Sequence, residues 1–114
     1  MTLNPALREL ELYRAMSLAE YQHWEERGSI DPSKNWAGHE VGKTGFRAIN
    51  RIHRWVEAGK GPFGSYDVLV RTMGNYATFE IDTMEHEVFQ NRVPVPLEML
   101  VIVLYPRKVL VPIR

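Results

Sequence analysis

The chain has 114 residues, the size of a single domain spanning residues 1–114, and its 45% apolar and 25% charged residues are those of a globular protein, too hydrophobic for disorder. Lys plus Arg and Asp plus Glu stand at 14 each, so no net field draws the molecule toward nucleic acid or an anionic membrane. With no cysteine there is no disulfide framework, thiol nucleophile or thiolate zinc site, which suits a reducing, cytoplasmic setting. Met1 to Glu11 carries charges and the longest apolar run, Met99 to Tyr105, has a strand's length, so neither a signal peptide nor a spanning helix can be argued. That pattern also fits a protein delivered into a target cell by a machine that reads no cleavable peptide.

Leu10 to Met16 alternates apolar and polar residues, which predicts a half-buried first strand. Ser17-Leu18-Ala19-Glu20 then reads as a capping box, with the serine oxygen accepting from the Glu20 N–H and the glutamate reaching back to Ser17. A short helix follows to about Arg27, and Gly28 supplies its left-handed cap. Ser29 to Lys43 is rich in Gly, Pro, Ser, Asn and Asp without periodicity, and reads as a long loop of the kind that carries function. Thr44 caps a second helix to about Ala58, whose buried face is Phe46, Ile49, Ile52 and Val56. Strands follow at Tyr66 to Met73, Tyr76 to Ile81, Glu85 to Gln90, Leu100 to Tyr105 and Val109 to Ile113, with Gly74-Asn75 as a tight hairpin connection between the first two. The layout is α+β, mostly antiparallel, with two helices in the N-terminal half.

That order, together with several short strings, resembles small ADP-ribosyltransferase-like domains of bacterial and phage toxins. The strings are Leu12-Tyr13-Arg14 leading into a helix closed by Gly28, Lys34-Asn35-Trp36-Ala37 before the second helix, the late Trp55, and Glu85-His86-Glu87-Val88 followed by Pro94-Val95-Pro96. Trp36-Ala37-Gly38-His39 stands where the arginine-modifying branch has a Ser-Thr-Ser triplet. The resemblance implies a split, mostly antiparallel sheet, NAD as substrate, and transfer of its ADP-ribosyl group to a protein or nucleic acid, or to water as an NAD glycohydrolase. It further implies that Arg14 holds the dinucleotide, Trp36 and Tyr66 wall its pocket, His39 bonds a ribose or moves a proton, and Glu87 is the key carboxylate with Glu85 assisting. A cognate inhibitor protein would be a natural partner for such a toxin.

From the residues alone, Glu85 and Glu87 project from one face of a strand, either as a cooperating pair or as a solvated face. Arg14 is either a phosphate clamp or half of an ion pair, and Trp36 either a pocket wall or core. His23, His53 and His86 lack metal-ligand spacing, so no metal is expected. Arg47, Arg51 and Arg54 line one face of the second helix and make the chain's basic patch. Two further readings stand beside the transferase: a non-catalytic protein-binding module, such as an inhibitor or immunity-like protein, and a nucleic-acid-binding or cleaving domain built on those arginines.

Overall fold

A computed structural model describes residues 4–41, 67–83, 88–105 and 109–110. In chain order these form β1 (Glu9–Met16), α1 (Leu18–Arg27), β2 (Ser29–Ile30), β3 (Asn35–Glu40), β4 (Val68–Asn75), β5 (Phe79–Thr83), β6 (Val88–Asn91), β7 (Val95–Pro96), β8 (Val101–Tyr105) and β9 (Val109–Leu110), with short 3-10 turns at Pro5–Leu7 and Leu97–Met99. Every pairing is antiparallel. Seven strands make one sheet in the order β5-β6-β3-β1-β4-β8-β9, and β2 pairs with β7 apart from it.

The expectation of a split sheet with two helices in the N-terminal half is thereby corrected. The fold is a small α+β arrangement dominated by one antiparallel sheet, and α1 is the one α-helix among the described residues. The segment read as the second helix, with Trp55 and the three arginines, lies outside the described residues, as do Tyr66, Glu85 and Glu87. The supposed loop after Gly28 contains β2 and β3. It escaped the periodicity reading because Trp36, Ala37, Gly38 and His39 are all buried, so β3 lacks the polar alternation of a strand with one wet face. The Gly74-Asn75 hairpin is also corrected. Both residues belong to β4, and the turn is Tyr76-Ala77-Thr78, where the Asn75 side-chain oxygen accepts from the N–H groups of Ala77 and Thr78 at 2.9 and 3.1 Å.

This turn fixes the shape of the sheet. β4 and β5 are four strand positions apart, which in a flat sheet is about 19 Å, yet four Cα steps from Asn75 to Phe79 span at most about 15 Å. The sheet therefore curls, bringing the Phe79 ring back over the end of β4. Gly74 and Gly38 flank Leu12 on the concave side, where a methyl on Gly74 would stand 2.4 Å from the Phe79 ring and one on Gly38 2.6 Å from Leu12. The close approach, rather than any turn, is what calls for glycine at both places.

Alternation along β1 sends Leu10, Leu12 and Met16 to the concave side, where they meet Tyr21 and Trp24 of α1, together with Trp36, Val68, Val70, Phe79 and Phe89. We call this the helix face. Ser17 caps α1 by accepting from the Glu20 N–H at 3.1 Å, the Asp67 carboxylate accepts from Leu18 N–H at 3.1 Å, and Gly28 closes the helix at φ 84°. Glu20 does not complete the capping box, because its carboxylate is taken up elsewhere.

Candidate functional site

Arg14 projects from β1 on the helix face, at the seam with α1 and β3. Its Nε and Nη2 donate to Glu20 Oε2 at 3.0 and 2.8 Å, and Nη1 donates to the Asn35 carbonyl at 2.6 Å. Trp24 Nε1 donates to the same Glu20 oxygen at 3.0 Å, and the Lys34 ammonium sits 5.7 Å from the centre of the Trp24 ring. One guanidinium and one indole thus share a single carboxylate oxygen, with the Lys34 ammonium over the indole ring. With its side chain 12% exposed, Arg14 is a brace holding β1, α1 and β3 together while its edge remains at the surface.

Trp36 lies one residue into β3 and is fully buried. Its ring meets Phe79 edge to face at 5.6 Å, and its Nε1 donates to Asn91 Oδ1 at 3.1 Å. Asn91 is a buried pin with both ends occupied: Oδ1 also accepts from Lys34 N–H, while Nδ2 donates to the carbonyls of Asp31 and Val93, both at 2.9 Å. Of the two readings of Trp36, the structure places it in the core.

His39 lies on the other side of the sheet. It stands opposite Glu11 on β1, and Glu11 in turn stands opposite Met73 on β4; one pair further along, Tyr13 stands between Ala37 and Arg71. Here the Tyr13 hydroxyl donates to Glu11 Oε1, and His39 Nε2 is 4.0 Å from the same oxygen. Burial pushes the Tyr13 phenol above its ordinary range, the bond to Glu11 and that carboxylate's charge add to the rise, and the Arg71 guanidinium opposes it. Arg71 Nη1 donates to the Met73 sulfur at 3.5 Å. Among the described residues nothing hydrogen-bonds to Arg71 Nε or His39 Nε2, although both atoms are buried.

Of the sequence candidates within the described residues, the fold brings Arg14 and Trp36 to one face and His39 to the other. Sequence reasoning missed Glu20 and Trp24 beside Arg14, and Lys34 over the Trp24 ring, although the spacing of Glu20 and Trp24 puts them on one side of α1. It also missed Glu11, Tyr13 and Arg71, which meet His39 only through strand register. Among the described residues no group of three or more His, Cys, Asp or Glu is placed to hold a metal ion, and no helix is long and apolar enough to cross a membrane.

Comparison with known proteins finds no matching family model, curated protein or solved structure.

Proposed function

We propose that the chain binds NAD at the junction of β1, β3 and β6 and transfers its ADP-ribosyl group to a protein or nucleic acid. The observation that supports this reading is the sheet order. β1 carries Arg14, β3 runs beside it, and β6, which in sequence follows directly on Glu85-His86-Glu87, is β3's other neighbour. Three segments far apart in the chain, which the resemblance assigns to one NAD site, belong to adjacent strands or lead directly into one.

The chemistry follows from charge. Three bonds leave part of the Arg14 fork unspent, and an NAD phosphate would compete with Glu20 for it. Lys34 adds a second cation at that seam. Glu87 would stabilise the positive charge that develops on the ribose as nicotinamide leaves, and Glu85 would orient or deprotonate the acceptor. Water in the acceptor's place gives NAD hydrolysis.

A second reading, a non-catalytic protein-binding module, is favoured by the internal bonding of Arg14 and the complete burial of Trp36. One assay separates the two. Purified protein incubated with NAD, with and without lysate as acceptor, should release nicotinamide, and Glu87→Gln should abolish release while leaving circular dichroism unchanged. Release that persists in the variant removes Glu87 from the mechanism, and no release from the parent protein favours the binding module.

A further inference from the structure

The face opposite α1 holds a polar group that the NAD reading does not use. His39 Nδ1 lies 3.0 Å from the Glu40 carbonyl oxygen, which can only accept, so Nδ1 carries the ring proton. In the neutral ring Nε2 is then a bare lone pair, on a side chain only 4% exposed, with no partner among the described residues. Across 4.0 Å it faces Glu11 Oε1, a second acceptor. Two acceptors at that separation cannot bond to each other, but one group with two N–H bonds can bridge them from one side, donating to both. On the other flank of β1, Arg71 presents the reverse need: its buried Nε–H has no acceptor, and no carboxylate pairs with its guanidinium among the described residues. Each unmet buried group costs about 1–3 kcal/mol, so a pair of them on one face calls for a guest.

We propose that this face binds a small zwitterion, its amino group bridging His39 Nε2 and Glu11 from one side and its anionic oxygens on Arg71. A free amino acid is the simplest molecule of this class. The charges match end for end: a carboxylate on β1 receives the ammonium, and a guanidinium on β4 receives the anion. With His39 at 5% and Tyr13 at 1% exposure, little of this group meets the surface, which limits a guest to a small molecule rather than a polymer.

The test uses the whole chain with the imidazole nitrogens labelled. Without ligand, His39 should show the proton on Nδ1; a proton on Nε2 alone overturns the proposal before any ligand is added. Titration with glycine, β-alanine and γ-aminobutyrate forms a length ladder, and one rung should shift the His39 ring signals, whereas acetate or methylammonium alone should bind about tenfold or more weaker. Arg71→Met should weaken binding by about tenfold or more, and Arg71→Lys should restore part of it. Glu11→Gln should likewise weaken binding by about tenfold or more, and if that variant fails to fold the Arg71 pair carries the test alone. No shift with any zwitterion at saturating concentration, or equal binding of acetate and the zwitterions, overturns the proposal. None of these outcomes depends on whether NAD is turned over.

Discussion

The two faces of the sheet handle their polar groups in opposite ways. On the helix face every buried polar side chain described above is answered: Asn91 fills both ends of its amide, Trp36 has its acceptor, and Arg14 is held by Glu20 and the Asn35 carbonyl. On the opposite face Tyr13 and Glu11 answer one another, while His39 Nε2 and Arg71 Nε are left without a described partner. Both faces are well buried, so burial alone does not mark a site. What separates the two faces is whether donors and acceptors are matched within the chain, and Arg14, held by three bonds with part of its fork unspent, is where the helix face keeps donors for a ligand.

The largest effect that would test this contrast is on the saturated face. Trp36→Ala should cost about 3–5 kcal/mol in denaturant unfolding, because it empties the core beside Phe79 and strips Asn91 of a donor. A loss under about 1 kcal/mol would return Trp36 to the role of pocket wall. Arg14→Met should cost about 1.5–3 kcal/mol, since the Glu20 carboxylate keeps Trp24 and loses two charged donors. Unchanged stability with lost NAD affinity would make Arg14 a ligand residue first and a brace second.

A smaller effect concerns pH. The folded state holds the Tyr13 phenol protonated beyond its ordinary value, so between that value and the folded one the unfolded chain binds fewer protons. The resulting stability is fully present below about pH 10 and drains away as pH rises beyond it. Tyr13→Phe should flatten this alkaline limb in unfolding curves, leaving a residue from Tyr76, whose phenol is also raised by burial and by its bond to Glu40. A limb unchanged in Tyr13→Phe would show that Tyr13 is not the source. The smallest effect should be that of Arg71→Met, within about 0.5 kcal/mol of the parent or slightly stabilising, because an unanswered donor is removed together with only a weak bond to the Met73 sulfur. A cost of about 2 kcal/mol or more would mean that Arg71 belongs with the fastenings, and the contrast between the faces would fail.

Elements that announce themselves locally were legible. The alternation in Leu10 to Met16 gave β1, and Ser17 and Gly28 bracketed α1 to the residue. β3 was not, because a strand buried on both faces and carrying Gly38 for close packing resembles a loop in composition. The curl of the sheet was hidden for another reason: it is set by a three-residue turn whose ends belong to strands that do not pair. At the candidate site, Arg14 stood out by residue type, but the use made of Glu20 could not be read, since a glutamate in that place serves a capping box equally well. Glu11, Tyr13, His39 and Arg71 come from three strands, and only their register makes them neighbours.

The position of β1 bears on how the chain assembles. It precedes the other strands in sequence yet lies at the centre of the seven, and its longest partnership, with β4, joins Leu10 to Gly74. During synthesis the apolar side of β1 emerges well before β4 can zip against it. Until then one of its backbone edges remains unsatisfied, a template on which a neighbouring nascent chain can pair. Contacts this distant in sequence also make folding slow for the chain's size. The strand that organises the finished sheet is therefore open to misassociation until its late partner arrives, and its early shielding should raise the yield of folded protein.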